Sequence, residues 1–254
     1  MENQTQQSVL PSSGFREQLR QYGVASILGG IVFAILSFYL FSRRGYYDLF
    51  IMNKVFAGTA GILLSIVLLF GPLARLFSAF DKYILYRKEI GFIAFFFAIA
   101  HGIISYFFLS DHFLREYFFT FGLWPFISAL IGTVLLIVIF LISNNTMMQC
   151  IGTGRWWKLQ YWGIRISFLA IALHVGIMKF PEWISWYQHG GGKELLHPEW
   201  PGGGILVGWF MVFVIIFRIA EYIHPVVGRI AWYSLSCGLL LVYILTFWWG
   251  QQFA

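Results

Sequence analysis

Residues 90–109 read IGFIAFFFAIAHGIISYFFL, twenty positions without Asp, Glu, Lys or Arg. About 20 apolar residues coiled as a helix match the hydrocarbon thickness of a bilayer. A helix is also one of the few structures that satisfies its own backbone polar groups in that medium. One residue is out of character: His101, an ionisable side chain in an apolar run. The same thing happens further along, where SFLAIALHVGIMKF (residues 167–180) encloses His174.

The whole chain has this apolar character. Of its 254 residues, 59% are hydrophobic, 20% aromatic and 11% charged, with a mean hydropathy of +0.74. Soluble domains carry about a quarter charged residues, so an integral membrane protein is expected. Seven spans qualify, at about 24–42, 51–74, 89–109, 122–143, 156–178, 204–222 and 227–249. Short polar loops join most of them, which predicts one all-α, polytopic helical bundle with no second domain. The net charge of +6 comes from 17 Lys and Arg against 11 Asp and Glu. In a membrane protein such residues gather at the cytoplasmic helix ends, and no nucleic-acid surface is indicated. Cys150, expected in a connecting loop, and Cys237, in mid-helix, suggest neither a disulfide nor a nucleophile.

Lys and Arg also set the orientation. With the N-terminus inside, the inner segments hold ten: Arg16, Arg20, Arg75, Lys82, Arg87, Lys88, Arg155, Lys158, Arg218 and Arg229. The outer segments hold six: Arg43, Arg44, Lys54, Arg115, Lys179 and Lys193. Ten against six predicts a cytoplasmic N-terminus and an outer C-terminus, in a bacterial inner (plasma) membrane. The first span runs into FSRRGYY rather than a small-residue cleavage site, so an uncleaved helix is expected. The longest outer loop, 181–203, carries two PEW triplets and is expected to be an interfacial element with tryptophans at headgroup level.

His101 lies twelve residues beyond Glu89 and His174 sixteen beyond Lys158, about 18 and 24 Å from the inner helix ends. Both therefore fall in the outer half at comparable depth, where two facing imidazoles can clamp a haem iron. Small neighbours leave space for a macrocycle: Ala98 and Gly102 by His101, Ala170 and Gly176 by His174. The alternative is structural, with each histidine bonded to a backbone carbonyl or a serine across the bundle. Ionisable groups at this depth are costly and tend to be functional.

Three stretches taken in order resemble the ferric-reductase-like transmembrane domain. FAGTAGILLSIVLLFGPLARLF (56–77) resembles its glycine-containing second helix, RKEIGFIAFFFAIAH (87–101) its histidine-bearing third, and GRWWKLQYWGIRISFLAIALH (154–174) its Trp-rich fifth. That family includes NADPH oxidases, the STEAP metalloreductases and the haem subunit of methionine sulfoxide reductase. The resemblance spans about residues 24–222 and implies a six-helix core, electron transfer across the membrane, and b-type haem between helices three and five. It assigns His101 and His174 as axial ligands of the haem iron. Many members carry a second, inner histidine 13 or 14 residues earlier; here those positions hold Arg87 and Tyr161, with Gln160 alongside. One outer haem is therefore expected. The implied layout is a polar cytoplasmic tail (1–23), the haem-binding core (24–222) and an additional C-terminal helix (223–254).

The remaining polar residues have plainer expectations. Arg165 is nine residues before His174, on the opposite helix face, and is expected to pair with Glu221; the alternative is an anionic flavin or quinone headgroup on the inner half. His112, His189 and His197 match no metal spacing and are expected as loop residues, while His224, before Pro225, is expected to cap a helix. GTG (152–154) follows a membrane helix rather than a strand and is no dinucleotide loop. Electrons must then come from a separate protein donor, a bound flavin or a quinol. The function expected is a haem b protein relaying electrons to an outer acceptor, whether a metal chelate, oxygen or a protein. The alternative is an accessory or anchoring haem-binding subunit of a larger respiratory or photosynthetic complex.

Overall fold

A computed structural model describes residues 14–254. Among these residues there are seven long apolar helices and no strand. They are α1 (Phe15–Arg44), α2 (Leu49–Leu76), α3 (Arg87–Ile103), α5 (Leu123–Ile142), α7 (Thr153–His189), α8 (Gly203–Ile223) and α9 (Pro225–Gly250). Two short helices, α4 (Arg115–Phe119) and α6 (Asn145–Ile151), sit in the connections. The chain is an all-α integral membrane bundle, and each of the seven expected spans is present.

Local chemistry sets the helix ends. The Asp48 side chain accepts from Ile51 N–H at 2.8 Å to start α2, and Asn144 accepts from Met147 N–H at 2.9 Å to start α6. Gly45, at φ 80°, closes α1 by donating its N–H to Phe41 O. Pro225 stands at the start of α9, where its missing N–H is no loss.

Packing centres on α2. In its most apolar stretch 61% of the residues are buried, and no other span exceeds 39%. Leu63, Leu64, Val67 and Leu68 meet Phe168 of α7 and Met211, Val214 and Phe217 of α8. Helices α1, α3 and α8 lie along α2, while α7 lies chiefly along α5 and α9 along α8. In consequence α3 and α7, the two histidine-bearing helices, are held by different partners. The outward faces keep large apolar side chains exposed, among them Phe38, Phe107 and Leu173, as a lipid-facing surface requires.

Three expectations need correction. Helix α1 starts at Phe15, so residues 15–23 are not a polar tail; Glu17 holds Arg20 at 2.7 Å and Gln21 at 3.0 Å, pairs one turn apart that support a polar helical segment. The rest of that tail, residues 1–13, lies outside the described residues. Cys150 belongs to α6 rather than to a loop, because Asn144 caps that short helix. Helix α7 continues through Pro181 to His189, which reduces the long loop to Gly190–Gly202. That loop is seated on the bundle: Arg43 Nε donates to Trp200 O at 2.8 Å, Tyr39 Oη to Pro201 O at 2.6 Å, and His197 N–H to Arg43 O at 3.1 Å. Trp186 is buried against this loop, its Nε1 donating to Pro198 O at 3.3 Å.

Helices α5 and α7 cross closely, and there Ser167 Oγ donates to Gly132 O at 2.7 Å. A Cβ on Gly132 would lie 2.8 Å from Ile171 Cγ1 and 3.3 Å from Ser167 O, so the helices must part to admit one. Gly132→Val is expected to destabilise the bundle by about 1–3 kcal/mol, read as a lower thermal midpoint in detergent, while Gly238→Val in α9, with open space at its Cβ, leaves the midpoint unchanged.

Candidate functional site

His101 occupies the last turn of α3, just before a wider π-type turn at Ile104–Phe108. Its Nδ1 lies 3.0 Å from Asn53 Oδ1 and 3.2 Å from Asn53 O. Asn53 is 2% exposed, and its Nδ2 donates to Ser105 Oγ at 2.8 Å inside that wider turn. With Nδ2 engaged as a donor, Oδ1 faces the imidazole as an acceptor. His174 has the same arrangement from a different source: its Nδ1 lies 2.9 Å from Pro125 O. A carbonyl oxygen only accepts, so both imidazoles carry their proton on Nδ1 and keep a lone pair on Nε2. Neither Nε2 makes a hydrogen bond among the described residues, and both rings are half-buried rather than sealed.

The matched depth read from residue counting has an independent structural basis. Asn53 is four residues into α2 and Pro125 two residues into α5, about 6 and 3 Å from helix starts at the same end of the bundle. Two helices that run down from one end thus fix the imidazoles of two helices that run up to it. Two cations stand at this end. Lys54 lies 3.9 Å over the Phe50 ring, and Lys179 holds Glu182 at 2.7 Å.

This donor set fits a bis-imidazole haem. Each histidine has its second nitrogen tied to a carbonyl, as iron-ligating imidazoles do, and its first nitrogen free. The helices that bear them pack chiefly on different neighbours, α3 on α2 and α7 on α5. The small residues play unequal parts. Ala98 packs against the central core, whereas a Cβ on Gly102 or Gly176 would meet nothing within 4 Å, so those glycines mark no helix contact.

At the opposite end the expected Arg165–Glu221 pair does not form. Glu221 instead binds Arg75 and, at 3.1 Å, Arg218. Arg218 is three residues away on the same helix, and Arg75 ends α2 beside α8. Arg165 turns back on α7, donating to Tyr161 O at 2.6 Å with its guanidinium 3.3 Å over the Tyr161 ring. Gln160 donates to Ser143 Oγ at 2.8 Å. Tyr161 and Gln160 are therefore taken up by cation and hydrogen-bond contacts, while Arg87 is itself a cation.

The other histidines separate. His112 stacks on Phe50 at 4.1 Å, and His197 bonds Glu199 at 2.8 Å while stacking on Trp200. His189 ends α7, and His224 Nδ1 accepts from Val226 N–H at 3.2 Å, capping α9 as expected. Among the described residues no three of His, Cys, Asp or Glu come together as a metal site. Sequence reading missed Asn53, Ser105 and Pro125. Asn53 gave a signal, an amide at the head of an apolar span; a proline carbonyl gives none.

Residues 56–171 match a protein family described as Ferric reductase like transmembrane component. The match contains His101 and stops three residues before His174; α8 and α9 lie beyond it. No curated protein matches the chain.

The Asn53 side chain bonds both His101 and Ser105 in an apolar setting, so its loss leaves Ser105 Oγ without its donor and His101 Nδ1 with the residue-53 carbonyl alone. Asn53→Ala is expected to cost about 1–3 kcal/mol in thermal unfolding, and Ser105→Ala less, because Ser105 serves only as the acceptor for the amide.

Proposed function

We propose that this chain, a ferric-reductase-like transmembrane component over residues 56–171, binds one haem b between His101 and His174 and carries electrons through the membrane to an acceptor on the outer side. The observation that carries this reading is the pair of imidazoles at one level, each with Nδ1 tied to a carbonyl acceptor and Nε2 free. Haem, when bound, supplies reversible one-electron chemistry at a potential set by its axial ligands and surroundings.

The residues of the chain bind, orient and insulate. His101 and His174 would each give Nε2 to the iron. Asn53 and Pro125 hold the rings in the required tautomer and raise their basicity as ligands. Lys54 and Lys179 stand at this end and would supply positive charge toward the carboxylates of a bound haem. Arg87, Gln160 and Tyr161 offer no inner ligand pair, which supports a single haem. With the N-terminus cytoplasmic and the C-terminus outside, in a bacterial inner membrane, the two histidines that would hold the haem lie toward the outer face. Electrons would come from a separate protein donor or from a flavin or quinone bound toward the inner side. Its acceptor would be a metal chelate, oxygen or a protein partner.

A second reading, an accessory or anchoring subunit of a larger respiratory or photosynthetic membrane complex, draws on α9. That helix lies outside the family match, packs along α8 and exposes Tyr233, Leu240, Ile244 and Trp248. Co-purification on native gels separates the two: a free monomer that reduces an outer acceptor speaks for the first.

The optical spectrum, before and after dithionite, tests the haem. A six-coordinate, low-spin b-type spectrum is expected. His101→Ala and His174→Ala should each lose haem or leave a high-spin centre, whereas His112→Ala and His224→Ala leave the spectrum intact. An unaltered low-spin spectrum in the His101→Ala, His174→Ala double variant would overturn the assignment.

A further inference from the structure

Four helices each contribute one arginine to the end of the bundle away from the histidines. Arg75 lies in the last turn of α2 and Arg87 is the first residue of α3. Arg165 is on α7 and Arg218 on α8. Their proximity follows from contacts. Arg87 Nη1 comes within 3.7 Å of where a Cβ on Gly71 would stand, and Gly71 is one turn before Arg75 on the same face of α2. Arg75 and Arg218 share Glu221. Arg165 stands one turn before Phe168, which packs in the same buried core as Phe217, the neighbour of Arg218.

The charges do not balance. Glu221, 4% exposed, is the carboxylate that pairs with this group, and it is already shared between two guanidinium groups. Among the described residues Arg87 and Arg165 have no carboxylate partner. Arg165 has only a carbonyl and a ring face, and neither removes its charge. Four cations against one anion leave a local excess of three positive charges at the edge of an apolar bundle, with Arg87, Arg165 and Arg218 half-buried and Arg75 exposed. Uncompensated charge there is costly, and arginines so placed meet an anion or water. Planar guanidinium forks converging from several helices suit the tetrahedral oxygens of a phosphate, which accept paired hydrogen bonds from more than one fork.

We propose that Arg75, Arg87, Arg165 and Arg218 form a phosphate-binding site, with Arg87 and Arg165 free to engage the ligand and Glu221 holding Arg75 and Arg218 in place. The ligand is a phosphate ester, either the phosphodiester headgroup of an anionic membrane lipid or the phosphate of a small soluble molecule. The site is independent of haem, since its residues lie on the far side of the bundle from both histidines.

The test uses the full chain and reads its thermal midpoint. One arm compares nanodiscs of phosphatidylcholine with nanodiscs containing phosphatidylglycerol. The other adds inorganic phosphate to the protein in neutral detergent, against sodium chloride of equal ionic strength. Stabilisation by phosphatidylglycerol alone identifies the lipid source; stabilisation by inorganic phosphate identifies a free phosphate. In either case R87Q and R165Q should each weaken half-saturation about tenfold, and R87K with R165K should retain part of the response. K88Q, which removes an exposed cation at the same helix end, should respond as the wild type does. Neither substituted arginine has an ion-pair partner, so the fold is expected to persist, checked by helical circular dichroism. The proposal is overturned if neither phosphate source stabilises the protein beyond the salt control, or if R87Q/R165Q responds like wild type.

Discussion

Polar groups inside hydrocarbon must find their partners within the protein, because no water is there to serve them. In this bundle α2 provides many of those partners. It is the most enclosed span, and α1, α3 and α8 lie against it. Near its first turn Asn53 receives His101 and Ser105, and in its last turn Arg75 receives Glu221. They stand 22 positions apart, roughly 33 Å, with nearly unbroken apolar packing between. A single helix therefore sets the geometry of both polar ends and separates them by about the thickness of the hydrocarbon core.

The two ends differ in kind. At one, imidazoles donate through Nδ1 to carbonyl oxygens and keep Nε2 available, an arrangement suited to holding a metal-centred group. At the other, guanidinium groups outnumber carboxylates, an arrangement suited to an anion. Neither end depends on the other for its contacts. Carbonyl bonding across the bundle, which sequence reading set against haem ligation, turns out to be compatible with it. The carbonyl takes one ring nitrogen, and that bond is what frees the second.

The additional helix and the loop before α8 make one structural unit at the histidine end. Trp249 Nε1 donates to Tyr187 O at 2.8 Å, Tyr187 Oη meets Thr246 Oγ1 at 3.0 Å, and Gly250 lies tight against Glu199. These contacts join the end of α9 to the extended part of α7. The α7 extension lies beyond the family match, and so do the loop, α8 and α9. The loop is in turn bonded to the end of α1 through Tyr39 and Arg43.

The sequence alone determined the spans and the two histidines, because apolar length and a lone ionisable residue are local properties that survive without coordinates. The depth match was also legible, since helical rise converts residue number directly into distance. The helical start of α1 and the extension of α7 were not, because polar turns and an internal proline look like helix ends to a hydropathy reading. Only the tertiary structure decided which partner each polar group takes. Glu221 is reached by Arg75, 146 positions away in the chain, rather than by Arg165, and His101 is held by Asn53, 48 positions away. Such pairings are set by which helix faces meet once the apolar surfaces pack, and residue spacing along one chain carries no record of that.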